Sequence, residues 1–444
     1  MINILRGILG VLVIIGIAFL FSNNKKHINW KVVGIGLGIQ FVLAIFILKG
    51  QTMATFWAPL AWPMQFFSWI SSFFVIVLNF TTEGAVFLFG DLAKPTGMEG
   101  SLGSFFAFQV LPTIVFFASL TAILYHYGIL QRVVKYIAKG MQKLMGTSGA
   151  ESLSVISNIF VGQTEAPLVI KPYIKKMTQS ELLTVMTGGM ATIAGGVMAA
   201  YVQLLGDSYA QAHNVALEVG RLMFAEQLLG ASLMAAPAAL VISKIIYPEV
   251  EEPETKGSTK VAFEEVDANG IDAAASGAAT GMKLAANVGA MLLAFIALLA
   301  MGNYFLDAFG SLTGINSLIP DGSLRIETIL GWLLAPLAFL VGVPWADAVS
   351  MGGLLGTKVV LNEFVAYTKL STMVANGVLN PKTITMATFA LCGFANFSSI
   401  AIQIGGIGGL APNRKADLAK FGLKAVLGGS LATLMTATIA GMLF

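Results

Sequence analysis

The sequence predicts an all-α polytopic membrane protein with about eight transmembrane helices and two re-entrant helical hairpins in an inverted repeat. Three observations carry this. Of 444 residues, 56% are hydrophobic and only 11% charged, with a mean hydropathy of +0.81; an average soluble protein carries about 25% charged residues. Apolar runs near the ~20 residues that a bilayer core requires recur along the chain. Finally, two carboxylates sit inside apolar, glycine-rich stretches, Glu165 in segment 158–167 and Glu363 in segment 361–367. A carboxylate at membrane depth costs at least ~2.5–3.5 kcal/mol on insertion scales, so it marks a functional site by default.

The runs 3–21, 31–49, 105–127, 181–205, 222–247, 284–306, 383–410 and 422–443 are each expected to span. The first is followed by Asn23-Asn24-Lys25-Lys26 rather than a small-residue cleavage site, and so reads as a retained helix. Segment 53–90 is rich in aromatics (Trp57, Trp62, Phe66, Phe67, Trp69, Phe73, Phe74). It suits the membrane interface and is not counted as a span. Residues 129–147 have a basic and an apolar face, as an interfacial helix does. Residues 248–270, with Glu249, Glu251, Glu252, Glu254 and Lys256, read as the one plainly solvated loop, too short for a domain. The alanine-rich run from Ala273 is expected to reach the sixth span through another surface helix.

The two glutamate stretches are too broken to be simple spans. Residues 149–173 contain Gly149, Gly162 and Pro167, with Pro172 just inside the end, and residues 346–370 contain Gly352, Gly353 and Gly356. Glycine permits non-helical backbone and proline removes a donor, so both are expected to fold back as hairpins. Each precedes a span interrupted by glycine and small polar residues, over 187–197 and 391–400, the latter followed by the glycines of 405–409. Close helix packing would account for the glycines alone. It would not account for Asn158, Gln163, Thr164, Glu165, Asn362, Glu363, Asn396, Ser398 and Ser399 in the same places. Broken helices meeting near the midplane around a polar site fit all of them.

With both termini outside, stretches 22–31, 128–180, 244–283 and 411–424 face the cytoplasm and hold 18 of the 26 lysines and arginines; the positive-inside rule favours that orientation. The first hairpin then enters from the cytoplasm and the second from outside, the signature of an inverted repeat. The chain divides into 1–127 (scaffold spans), 128–247 (interfacial helix, first hairpin, fourth and fifth spans), 248–345 (loop, surface helix, sixth span and connection) and 346–444 (second hairpin, last two spans).

A net charge of +3, scattered along the chain, gives no footprint for nucleic acid. The single cysteine, Cys392, cannot form an intrachain disulfide, and His27, His126 and His213 share no ligand spacing. No nucleophile–base pair supports an enzyme. Carboxylates accept hydrogen bonds, while Asn and Gln both donate and accept. That mixture suits a neutral ligand rich in O–H and N–H donors, such as a sugar bearing an amide-like heterocycle. It suits an amino acid less, because no lysine or arginine is placed to answer a substrate carboxylate; Lys358, five residues before Glu363, falls on another helix face. Phe394 and Phe397 supply an apolar wall or ordinary core. A neutral ligand beside two carboxylates leaves negative charge uncompensated, which a co-transported Na⁺ or proton would relieve.

Gly162-Gln-Thr-Glu-Ala-Pro-Leu168, Asn362-Glu-Phe-Val-Ala-Tyr367 and Cys392-Gly-Phe-Ala-Asn-Phe-Ser-Ser399 resemble, in order, the signatures of the concentrative nucleoside transporter family. The likeness runs from the first span to the last, and the length matches the short bacterial members. The resemblance implies a homotrimer in the bacterial inner membrane. It implies a scaffold of spans 1, 2, 3 and 6, and a transport domain of the hairpins with spans 4, 5, 7 and 8 that moves like an elevator. It implies that Gln163, Thr164 and Glu165 read the nucleobase, with Val197 and Phe394 packed against it. Glu363, Asn396 and Ser399 would hold the ribose. It also implies a Na⁺ site formed by Asn158, the carbonyl of Val161, Thr192 and the carbonyl of Ile193. The family's usual residue at the Thr192 position is serine, so the hydroxyl is kept with an added methyl. Some relatives couple to protons; the retained Asn158 and Thr192 favour sodium.

Overall fold

The structure is a computed structural model that describes residues 2–95, 98–257, 267–319 and 322–444. Among these there are helices and no strand. Eight helices, some containing a short break, are long and apolar enough to cross a membrane, and one further bent pair passes the same test.

Helices α1 (Ile2–Leu20) and α2 (Trp30–Leu48) match the first two expected spans. Segment 53–90, which on composition suits the interface, contains a continuous 28-residue helix, α3 (Trp62–Phe89), belonging to a stretch long and apolar enough to span. The aromatic residues therefore decorate a long helix; Trp62, Phe66, Trp69 and Phe73, spaced three or four apart, form its exposed stripe. Helix α4 (Leu111–His126) is the third expected span, and α5 (Ile129–Met145) the amphipathic one. Helix α5 buries Gln131, Val134, Ala138, Met141 and Met145 and exposes Lys135, Lys139 and Lys143.

The first hairpin begins with α6 (Gly149–Ser157), nine residues long. At 1.5 Å per residue this is about 14 Å, half a bilayer core. The chain turns at 158–165 and returns through a 3₁₀ turn, Ala166–Ile170, and a short helix, Lys171–Ile174. Its start is fixed by a capping box between Ser148 and Glu151. Lys244 pins the same end, its Nζ 2.8 Å from Glu151 Oε2.

The fourth span is two helices, α7 (Gln179–Ala191) and α8 (Gly195–His213), parted at Thr192–Ala194. Gly188 and Gly189 lie inside α7 and not at the break: a β-carbon on Gly188 would collide with Val155 and one on Gly189 with Gln163 and Gln403, so they admit the hairpin against α7. Helix α9 (Leu217–Ile246) is the fifth span. The sixth span belongs to one helix, α10 (Gly270–Thr313), of 44 residues; the separate surface helix expected from Ala273 onwards is its first turns. Gly277 and Gly281 of α10, four apart, lie against α4, where a β-carbon on either would meet Val115, Ala118, Ser119 or Ala122. Of the expected solvated loop 248–270, residues 258–266, including Lys260, lie outside the described residues.

Helix α11 (Ile326–Leu340) bends by 119° into α12 (Trp345–Val360), which with α13 (Glu363–Ala375) makes the second hairpin. Gly331, Gly352 and Gly356 let α11 lie directly on α12. The seventh span is α14 (Pro381–Leu391) and α15 (Phe397–Leu410), broken at Cys392–Asn396, and α16 (Lys415–Met442) is the last. The glycines of 405–409 are helical, so the break lies upstream of them, at Cys392–Asn396. The two broken spans meet: a β-carbon on Gly393 would lie 2.7 Å from the Met190 carbonyl oxygen and 2.9 Å from that of Ala191. Only a residue without a side chain allows that approach.

Candidate substrate site

Glu363 is the first residue of α13, and Asn362 caps that helix by accepting from Val365 N at 2.9 Å. Asn396 does the same for α15, accepting from Ser399 N at 2.9 Å and from Ser398 Oγ at 2.7 Å. Asn caps supply acceptors to otherwise unpaired helix N–H groups. The side-chain amide of Asn396 then donates to Glu363 Oε2 at 2.9 Å, and Tyr201 OH donates to Oε1 at 3.1 Å. Glu363 is 5% exposed. A carboxylate this buried needs such donors, and its place at a helix N-terminus adds favourable backbone dipole.

The network continues to the other hairpin. Gln163 Nε2 donates to Ser399 Oγ at 3.1 Å, and Gln403 Nε2 donates to Gln163 Oε1 and to the Met186 carbonyl, both at 3.0 Å. Tyr201, Glu363, Asn396, Ser399, Gln163 and Gln403 therefore form one connected set drawn from both hairpins and both broken spans. Each of these residues is less than a tenth exposed. Tyr201 also packs between Phe364 and Tyr367, with ring centroids 4.6 and 4.3 Å away. Sequence reasoning missed Tyr201 and Gln403. Both stand on helical faces, spaced like ordinary span residues, and only the fold brings them to the motifs.

Thr164 lies by Gly406 of α15, where a β-carbon would be 3.2 Å from its methyl. Phe394 is half-buried in the seventh-span break, Phe397 is exposed, and Val197 is buried near the start of α8. The two glutamates are not equivalent. Glu363 is buried, whereas Glu165 is exposed at the hairpin tip, folded back against Gly162 and outside the connected set.

The residues expected to hold sodium fall where the first hairpin meets the fourth-span break. Gly195 N donates to the Phe160 carbonyl at 3.2 Å, tying the two segments. Asn158 and Thr192 are 2% and 1% exposed, and Ile193 is fully buried; Val161 is half-buried. Asn158 uses its amide nitrogen on the Ser154 carbonyl at 3.0 Å, but its Oδ1 is buried with no hydrogen-bond partner. Thr192 Oγ1 donates to the Gly188 carbonyl at 2.9 Å, leaving oxygen lone pairs free. An unpaired buried acceptor is costly, and a hard cation that prefers oxygen would satisfy it. No cluster of His, Cys, Asp or Glu suited to a metal occurs among the described residues.

Three family models match in order along the chain: Na⁺ dependent nucleoside transporter N-terminus over residues 9–92, Nucleoside recognition over 107–208, and Na⁺ dependent nucleoside transporter C-terminus over 227–441. An uncharacterized transporter of Bacillus subtilis, YutK, is 46% identical over 99% of both chains. The nucleoside permease NupC of Helicobacter pylori is 40% identical over 99% of this chain and 97% of its own. Among solved structures, CNTnw in an inward-facing substrate-bound state matches with a TM-score of 0.84 at 42% identity, covering 99% of this chain and 98% of that one. A CNTnw variant in an outward-facing state matches with a TM-score of 0.86 at 42% identity over 100% and 98%.

Proposed function

The chain belongs to the Na⁺-dependent nucleoside transporter family, and on that premise we propose that it imports nucleosides such as uridine by sodium symport. The observation that carries this reading is the connected set joining Gln163 to Glu363. Its members are the donors and acceptors that a nucleoside offers in mirror image. Glu363, with Asn396 and Ser399, accepts and donates towards ribose hydroxyls. Gln163, Thr164 and Glu165 read the base, and Val197 and Phe394 pack on it. The Gln163–Ser399 bond is direct, so a bound nucleoside takes over hydrogen bonds that these side chains otherwise make to each other. That exchange keeps buried polar groups paired with and without substrate.

Sodium is favoured over protons because Asn158 Oδ1 is an orphaned buried acceptor in the hairpin that meets the fourth-span break through Phe160 and Gly195. Broken helices offer carbonyl-bearing ends to cations. The scaffold (1–127 with α10 of 248–345) holds a homotrimer in the bacterial inner membrane. The transport domain (128–247 and 346–444) moves as an elevator, a reading supported by the similarity to CNTnw in both inward- and outward-facing states. Both termini lie outside. That topology requires helix α3 not to cross, although its length and hydropathy would allow it; Phe67, like Ile47 at the end of α2, packs on Gly230, and Asn79 accepts from Arg221 Nη1 at 2.8 Å. Both contacts lie in the N-terminal half of α9, away from its cytoplasmic end at Lys244. The test is uridine binding to the purified protein titrated with NaCl against choline chloride, in wild type and Asn158→Ala. The variant is expected to need about tenfold more sodium for half-saturation, the worth of one buried hydrogen-bond-strength contact; an unchanged sodium dependence would remove the ion from this site.

A further inference from the structure

Lys358 lies in the last turn of α12, 1% exposed, among the largest fully buried side chains of the molecule. No carboxylate forms an ion pair with it among the described residues. Its Nζ donates instead to the Ala390 carbonyl at 2.8 Å and to Thr433 Oγ1 at 3.1 Å. Ala390 is in the last turn of α14, just ahead of the seventh-span break, so the ammonium sits on the negative, carbonyl-bearing end of a half-helix.

The first repeat has the same parts in the same order. Asn158 closes the first arm of its hairpin, and Thr192 and Ile193 follow the end of the half-helix α7. There the buried oxygen Asn158 Oδ1 lacks a partner, whereas in the second repeat the corresponding carbonyl end already has a cation covalently attached to the hairpin. The hairpin-to-break contact is backbone to backbone in the first repeat, Gly195 N to Phe160 O. In the second, Lys358 reaches the carbonyl end of α14, beside the Asn396–Glu363 bond that also joins hairpin and break. The two breaks also touch, through Gly393 against Met190 and Ala191.

We propose that the Lys358 ammonium is a tethered cation that occupies, in the second repeat, the position that Na⁺ takes in the first, so that one sodium ion accompanies each nucleoside. The inference rests on the sodium-symport reading above. In this arrangement Lys358 is a positioning residue: it fixes the second hairpin to the seventh-span break and supplies positive charge on the side of Glu363, five residues along. A second sodium ion would meet a like charge at its site.

The test compares wild type, Lys358→Met and Lys358→Arg in proteoliposomes, measuring ²²Na⁺ and [³H]uridine influx together, with size-exclusion profiles and uridine affinity of the purified proteins. Wild type is expected to carry sodium and uridine in a ratio of one. Lys358→Met, which keeps the stem and removes the charge, is expected either to raise that ratio towards two as sodium enters the vacated position, or to weaken uridine binding about tenfold or more for the loss of a charged hydrogen bond. Lys358→Arg should retain a ratio of one and closer to wild-type affinity. A wild-type ratio of two would overturn the proposal. So would a monodisperse Lys358→Met with unchanged ratio and affinity, or equal losses in Met and Arg, which would indicate shape rather than charge. If Lys358→Met does not fold, Lys358→Gln, which also removes the charge, is scored by the same criteria. Wild type that takes up no uridine with sodium would instead contradict the symport reading itself.

Discussion

Glu363 accepts from two neutral side chains and has no ion pair among the described residues; on the proposed function these hydrogen bonds stand in for those of a substrate. Glu363→Gln and Glu363→Ala are expected to abolish uridine transport while leaving the size-exclusion profile intact; near-normal uptake by both would remove Glu363 from the ribose role. Tyr201→Phe deletes one hydrogen bond to Oε1 without emptying the aromatic packing. It should weaken uridine binding by about tenfold, since hydrogen bonds to charged groups are worth ~1.5–3 kcal/mol and Asn396 remains. Isothermal titration on both variants would separate the two effects. The glutamates, Gln163, Asn396 and Ser399 were legible in the sequence because polar residues stand out in apolar surroundings. Tyr201 and Gln403 were not, because a tyrosine and a glutamine on a helix face carry no local signal and their partners are 162 and 240 residues away. The exposure of Glu165 was equally unreadable, since both motifs present a carboxylate after a short polar run.

At the scale of elements, the glycines divide into two uses. Gly393 sits at a true break and admits the carbonyls of the other broken span, whereas Gly188 and Gly189 are helical and admit the first hairpin. The sequence pattern identified both spans as interrupted, but composition alone does not separate a glycine that bends a helix from one that lets another helix approach. Gly189→Ala is expected to press on Gln163 and Gln403 and so reduce uridine binding with little loss of thermal stability. A binding curve superimposable on wild type would mean that the connected set relaxes around the added methyl. Gly393→Ala meets backbone on its approach side and should lower the melting temperature, because carbonyl groups yield less than the end of a flexible side chain. The 28-residue helix α3 was hidden for a different reason: its aromatic content suits the interface as well as the membrane interior, and length becomes visible only once the chain is folded.

For the whole molecule, membrane embedding and the paired hairpins followed from hydropathy and from the position of charges, while the contact between the two broken spans required the fold. The connected set makes the hairpins and broken spans one unit whose polar centre is shared between the repeats. On the proposed function this centre takes a nucleoside together with sodium. Radiolabelled uridine uptake into proteoliposomes, driven in turn by an inward sodium gradient and an inward proton gradient, tests that pairing. Concentrative accumulation is expected with sodium, abolished in Glu363→Gln, and none with protons alone. Accumulation with protons alone would contradict the assignment of the ion to Asn158 and Thr192, and no accumulation under either gradient would contradict nucleoside symport.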